Sequence, residues 1–222
     1  MKDNSRPVAS SQTAIHQDLI PTVRKHSASV WRQPVADHNR LALAQISQWL
    51  AQGEGAFWLD SGCGTGFSTF QLARDNPQVR VIGLDQSDER LQRGANRFSL
   101  PDNALLVRAE CADIWRLMLE QGLHPAKHFL LYPNPWPKPG HLKRRWHGHP
   151  VFPQLLALCS NIELRTNWQI YAEEFAAAAR LRKLQTIVEP LDFAGAPLTD
   201  FEAKYHQSGH ALYRLMSAVA DV

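Results

Sequence analysis

Short apolar runs recur along the chain, and between them lie stretches whose apolar residues fall three or four positions apart. From Asp37 onward, Leu41, Leu43, Ala44, Trp49 and Leu50 fit a helix that ends near Gly53. Ala56-Phe-Trp-Leu-Asp60 reads as a strand, and Phe67 to Arg74 as a helix that stops before Pro77. The alternation continues with a strand over Val79–Asp85, and then a helix that Ser87 caps and that runs to Phe98. Ala104 to Ala109 is a third strand, followed by a helix through Trp115 and Leu119. A fourth strand spans Ala126 to Tyr132, with a helix over Val151–Cys159. Ile162 to Arg165 is a fifth strand, and it feeds an alanine-rich helix from Trp168 to Arg182. Thr186–Val188 and Ala211–Val219 are further strand candidates.

Strands and helices alternating at this spacing predict an α/β fold, a doubly wound, mostly parallel sheet with helices on both faces. Residues 1 to about 14 are polar and without period, which reads as a mobile tail. Residues 15–35 hold Pro21, Trp31 and Pro34, and suit either an arm closing over a site or an extended surface strap. The expected organisation is a tail and arm over 1–35 and one domain over 36–222, without internal repeats.

Composition narrows the class. A chain of 222 residues can bury one substantial core, and 44% hydrophobic with 20% charged residues is globular rather than disordered. The net charge of +3 is mild, but Lys138, Lys143, Arg144 and Arg145 concentrate it in one segment. The three cysteines form no C-x-x-C pair, so neither a disulfide framework nor a zinc ribbon is indicated. Free thiols, no apolar signal core and no membrane-length run lead to the expectation of a soluble cytoplasmic protein.

Candidate chemistry begins at Asp60-Ser-Gly-Cys-Gly-Thr-Gly66, set between a strand and a helix. Glycines there let backbone approach a ligand at a helix N-terminus. Phe67 occupies the position where a G-x-G-x-x-G dinucleotide fingerprint needs its last glycine. The D-x-G-x-G-x-G pattern instead resembles the turn of class I S-adenosylmethionine-dependent methyltransferases. That resemblance implies S-adenosyl-L-methionine as cofactor, with Asp60, Gly62, Gly64 and Gly66 at its methionine part. Asp85 ends the second strand and is placed to accept from ribose hydroxyls, as Asp113 is from an adenine amino group. An ordinary tight turn at the glycines and a helix cap at Asp113 would explain the same residues.

The fourth strand runs into Tyr132-Pro-Asn-Pro-Trp-Pro-Lys138 and then His141-Leu-Lys-Arg-Arg145, and Thr199-Asp-Phe-Glu202 follows near the end. These segments resemble the P-D-P-W-x-K, H-x-K-R-R and T-x-F-E stretches of the bacterial tRNA (guanine-N7-)-methyltransferase family. The likeness spans roughly residues 35–218 and implies a Rossmann-like class I methyltransferase acting on tRNA. It assigns Asn134, Thr199 and Glu202 to the catalytic guanine pocket, and Lys138, Lys143, Arg144, Arg145 and Asn167 to substrate binding. Two acids of the family pattern are amides here, Asn134 and Asn167. Guanine N7 is already a nucleophile with a free lone pair, so transfer needs no general base, and alignment in a dry pocket is the main task. Asn keeps an acceptor oxygen but loses the charge that strengthens its hydrogen bonds.

Other readings accompany these. T-x-x-E is also a capping box. Asn134-Pro-Trp136 is similar to the N-P-P-[YW] motif of methyltransferases acting on amino groups. Trp136 and Trp146 suit either base stacking or core packing. His141, His147 and His149 lack a nearby Cys or acid to complete a metal site, so no metal is expected and a surface loop is the simpler account. The alternatives to tRNA methylation are a non-catalytic RNA- or cofactor-binding relative and a methyltransferase with a different substrate.

Overall fold

Parallel strands need crossovers long enough to return along the sheet, and the helical stretches between the apolar runs supply them. The computed structural model describes residues 5–192 and 195–219. Its strands are β1 (Phe57–Ser61), β2 (Arg80–Asp85), β3 (Ala104–Arg108), β4 (Lys127–Leu131), β5 (Ile162–Thr166), β6 (Leu184–Pro190) and β7 (Tyr213–Val219). Its helices are α1 (Leu19–Ser27), α2 (Asp37–Leu50), α3 (Phe67–Asp75), α4 (Asp88–Ala95), α5 (Cys111–Glu120), α6 (Phe152–Leu158), α7 (Gln169–Arg180) and α8 (Asp200–Gln207). The sheet order is β3-β2-β1-β4-β5-β7-β6. Strands β1 to β5 pair in parallel, and β7 enters antiparallel between β5 and β6. The fold is therefore the doubly wound α/β sheet that the alternation predicts.

Successive strand residues point to opposite faces, and both faces are covered. In β4, Leu130 joins the larger core beneath α1, α2, α5, α6 and α7, while Phe129 and Leu131 join a smaller one with Leu72 and Ala73 of α3. The order reverses between β1 and β4, so their carboxyl ends open a crevice at the switch point. Among the described residues no helix is long and apolar enough to cross a membrane.

The N-terminal segment differs from expectation. In place of a mobile tail and a strap, residues 5–16 are hydrogen-bonded to the body, and Leu19 and Val23 of α1 are buried against α6 and α7. Two apolar residues one turn apart make too short a stripe to read among polar neighbours. Pro21 sits in the first turn, where a missing N–H breaks no helical bond.

The basic segment also departs from expectation at Arg145. Its side chain is fully buried, and Nη1 donates to Glu174 Oε2 at 2.5 Å. Nε donates to the Trp136 carbonyl and Nη2 to Gln12 Oε1, and the guanidinium lies 4.8 Å from the Trp168 ring centroid. A charge in that position is tolerable only because it is paired and hydrogen-bonded. Arg145 therefore cannot meet phosphates; it ties the proline loop to α7. His147, expected on a surface loop, is buried as well, because Glu174 Oε2 partners its Nε2 at 2.8 Å. The other Glu174 oxygen accepts from Gln12 Nε2 (2.6 Å) and the His16 amide (2.8 Å). One carboxylate thus joins α7, the loop after β4 and the N-terminal segment. Burial alone would raise the Glu174 carboxyl, but bonds from His147, the His16 amide and Arg145 outweigh it and hold it at about 2.

Removing this carboxylate leaves Arg145 buried without its counter-ion, so Glu174→Ala should lower unfolding free energy at pH 7 by about 3–5 kcal/mol. A folded pKa near 2 against 4.5 unfolded means that this contribution is present above pH 4.5 and is lost as pH falls towards 2. Denaturant titrations of wild type and variant should therefore converge across that window; a constant gap would contradict the network. Gly94 of α4 gives a separate check, because a Cβ there would stand 1.8 Å from the Thr65 carbonyl oxygen. Gly94→Ala should cost about 1–3 kcal/mol, read as a lower denaturation midpoint at unchanged slope.

Candidate active site

The turn after β1 owes its shape to backbone that only glycine adopts freely. Gly62, Gly64 and Gly66 have φ of 76°, 63° and 78°. A Cβ at Gly62 or Gly64 would meet nothing within 4 Å, so open space lies over both. Gly66 has a packing reason instead, because a Cβ there would stand 2.5 Å from a Leu106 methyl. Asp60 fixes the turn from below: its Oδ2 accepts from Ser68 Oγ (2.6 Å) and Thr69 Oγ1 (2.7 Å), which anchors the first turn of α3. Its Oδ1 is buried without a partner. Burial raises the Asp60 carboxyl to about 6, against the lowering effect of those two hydroxyls.

The two acids at the neighbouring strand ends are already engaged. Asp85 is 3% exposed and accepts from the Gly64 amide (2.9 Å), the Ser87 amide (2.8 Å) and Arg90 Nη1 (3.2 Å). A carboxylate offers about four acceptor positions, so pairing with both hydroxyls of a ribose requires Arg90 to give way. Asp113 accepts from Asn39 Nδ2 (2.7 Å) and the Ala36 amide (3.3 Å), with Arg116 at 3.5 Å. These bonds clamp the start of α2 to α5, which accounts for its burial without any ligand.

On the other side of the crevice, β4 leaves the sheet through Tyr132 and Trp136, whose φ of 51° and 44° are left-handed and costly for such side chains. The Tyr132 amide donates to the Arg165 carbonyl (2.8 Å), and its hydroxyl donates to Glu202 Oε2 (3.0 Å). Glu202 is 1% exposed and also holds Arg165 Nη1 (3.0 Å to each oxygen) and the Leu198 amide (2.8 Å). Thr199 caps α8 by accepting from the Glu202 amide (2.9 Å), the capping geometry that T-x-x-E suggests. Glu202 and Thr199 are therefore a buried anchor under the pocket wall rather than an open lining. Asn134 is exposed, and its Oδ1 accepts from the Trp136 amide (3.3 Å) within its own turn. Leu131 pairs with Arg165 in the sheet, which brings Asn134 and Asn167 to neighbouring strand ends. Asn167 Nδ2 meets His210 Nδ1 (3.1 Å), and the His210 ring stacks on Tyr205.

Tyr132, Arg165, Tyr205 and His210 were not singled out as site residues from sequence. For Arg165 a signal exists, since Glu163 and Arg165 alternate in a buried strand and so share one face, where they pair at 2.7 Å. Lys138, Lys143 and Arg144 are exposed, with the Arg144 guanidinium 4.7 Å from the Trp136 ring centroid. Trp146 packs instead on core Trp115, ring centroids 4.7 Å apart. All three cysteines are buried and free, and burial pushes Cys111 up to about 12 and Cys159 to about 11, which leaves them unreactive. No group of three metal-ligating side chains gathers among the described residues.

Known proteins resemble this chain at both sequence and fold level. A family model described as "Putative methyltransferase" matches residues 54–215. A tRNA (guanine-N(7)-)-methyltransferase of Neisseria gonorrhoeae (strain NCCP11945) is 27% identical over 169 residues, 71% of this chain and 69% of the relative. Its namesake in Escherichia coli (strain K12) is 28% identical over 177 residues, 73% of this chain and 72% of that one. Among solved structures, the 16S rRNA methyltransferase KamB superposes with a TM-score of 0.58 at 18% identity, covering 84% of this chain and 95% of that one. A 16S rRNA (adenine(1408)-N(1))-methyltransferase mutant from Catenulisporales acidiphilia, solved with its cosubstrate SAM, gives 0.53 at 16%, over 86% and 96%. At such identities the two structures speak to the fold, whereas the family model spans most of the sequence. The chain belongs to this methyltransferase family, as a divergent relative of the bacterial tRNA (guanine-N7-)-methyltransferases.

Proposed function

We propose that the protein transfers a methyl group from S-adenosyl-L-methionine to N7 of a guanine in tRNA. One observation carries the reading: the Tyr132–Glu202 hydrogen bond (3.0 Å) joins the Pro133–Lys138 and Thr199–Glu202 segments beside the glycine turn. Those segments are the ones whose motifs resemble the tRNA (guanine-N7-)-methyltransferase family, and relatives of that name match most of this chain.

The residues at the turn suit the cofactor. Open space over Gly62 and Gly64 admits a ligand against the backbone, and the unpartnered buried oxygen of Asp60 favours a cationic donor above it, such as an amino-acid ammonium. When bound, S-adenosylmethionine supplies an activated methyl group on a sulfonium that leaves as a neutral thioether. The chain's own task is to orient and to exclude water. Glu202, held by Arg165, fixes Tyr132 in its strained conformation, and Tyr132 shapes the wall where β4 ends. Asn134 and Asn167 flank that wall, and Lys138, Lys143 and Arg144 extend it with positive charge for tRNA phosphates.

One feature favours a second reading, transfer to another nucleobase position in RNA. With Asn134 Oδ1 committed to its own turn, the free Nδ2 offers a donor where the family's acid would accept from guanine.

The test is incubation of purified protein with labelled S-adenosylmethionine and unmodified tRNA, followed by digestion to nucleosides. Label in 7-methylguanosine is expected; label in another nucleoside supports the second reading, and none in either overturns catalysis. Asn134→Asp restores a charged acceptor, worth about 1 kcal/mol, and should raise kcat/KM for guanine roughly fivefold. Cofactor affinity, followed by calorimetry without tRNA, should strengthen as pH rises through about 6, because Asp60 must be ionised to attract the ammonium. A flat profile there would exclude Asp60 from cofactor binding.

A further inference from the structure

Positive charge in this protein is not confined to the loop after β4. Arg24 and Lys25 in the last turn of α1, and Arg182 just past α7, are exposed and have no acidic partner among the described residues. Elsewhere on the surface, Arg74, Arg93 and Arg97 each lie against an acid. Arg24 and Arg182 line one cavity of about 370 Å³, with Ser27 beside them, Val23, Ala28 and Leu181 completing the wall, and no carboxylate. Two guanidiniums and a hydroxyl around an open cleft leave their repulsion uncompensated and their forked donors free, which suits phosphate oxygens.

The cleft neighbours the basic loop, because α1 packs against the Trp146–Gly148 turn at the end of that loop. His26 lies in the same last turn of α1 and near Lys143, and burial together with the Lys143 charge lowers its affinity for a proton. Exposed cations thus stand on both sides of this contact, Lys143 and Arg144 on the loop and Arg24, Lys25 and Arg182 around the cleft. A folded RNA extends well beyond the nucleotide at the active site, and its backbone is gripped mostly through phosphates.

We propose that α1 and the end of α7 form a second phosphate-contacting surface, lined by Arg24, Lys25 and Arg182, which holds the RNA backbone away from the methylated base. This rests on RNA being the substrate, as proposed above.

The test compares full-length wild type with an Arg24→Ala/Lys25→Ala/Arg182→Ala variant in binding unmodified tRNA across a salt series. The variant should bind about tenfold more weakly or worse at low salt, and its log–log salt slope should be shallower by about 2–3, roughly one counter-ion per contact. Its KM for tRNA should rise while kcat at saturating tRNA stays unchanged. An Arg74→Ala/Arg93→Ala control, which removes cations already paired, should leave affinity unchanged and so exclude a net-charge effect. Single Arg24→Gln and Arg182→Gln variants, each checked for an unchanged melting temperature, should each cost about one unit of slope. Identical slope and affinity in wild type and triple variant would overturn the proposal. Wild type that binds tRNA but leaves guanine N7 unmethylated would overturn the proposed reaction and leave the salt series to decide this surface; wild type that binds no tRNA would overturn both.

Discussion

The substrate side of this protein depends on one buried carboxylate. The segment from Tyr132 to His149 carries four alternating prolines, two left-handed backbone positions and the basic residues, and β4 constrains it only at its start. Its own short turns, Pro139–Arg144 and Trp146–Gly148, are too brief to be stable alone. Glu174 supplies the missing constraint, because α7 holds it rigidly in the core and its oxygens accept from Arg145, His147, Gln12 and the His16 amide. Once Arg145 is drawn inward, it reaches the Trp136 and Lys138 carbonyls, and Lys143 and Arg144 are left facing water. The pattern of exposed charge follows from the buried pair.

The cofactor side is built on the same logic at smaller scale. Asp60 and Asp85 are both buried, and each organises backbone before it could meet a ligand: Asp60 anchors α3 through two hydroxyls, and Asp85 draws in the Gly64 and Ser87 amides. Glu202 does the equivalent for Tyr132 and α8. In the reading proposed above, a fold that uses its carboxylates largely as scaffolding would leave recognition to few groups: the open space over Gly62 and Gly64 with the free Asp60 oxygen, the amides of Asn134 and Asn167, and the exposed cations. Guanine N7 chemistry suits such a site, since it asks for alignment rather than for a base.

Much of this was legible in the sequence. Apolar runs ending in Gly62-Cys-Gly64 or in Asp85 mark strand ends on the crevice, because few other roles combine those residues with that periodicity. The proline segment and Thr199–Glu202 resemble stretches of one family, and the structure joins them through the Tyr132–Glu202 hydrogen bond. The inward turn of Arg145 was hidden, because a K-R-R run reads as a solvated face unless its partner is known. Glu174 was the available clue. With Tyr171, Phe175 and Ala178 it follows the helical spacing of a buried stripe, and an acid in such a stripe requires a cation. The docking of residues 5–16 had no local signal, since it depends on contacts with distant groups, Glu174, the Pro137 carbonyl and His210.

Amide hydrogen exchange across residues 136–149 tests the role of the buried pair most directly. In wild type the Arg145, Gly148 and His149 amides, bonded to the carbonyls of Leu142, Arg145 and Trp146, should exchange slowly. In Glu174→Gln they should exchange at least about tenfold faster while β1 and β4 keep their protection, since one lost charge–charge bond is worth more than about 1.4 kcal/mol locally. Equal protection of the segment in both proteins would contradict the account, and would mean that the loop holds its shape without Glu174.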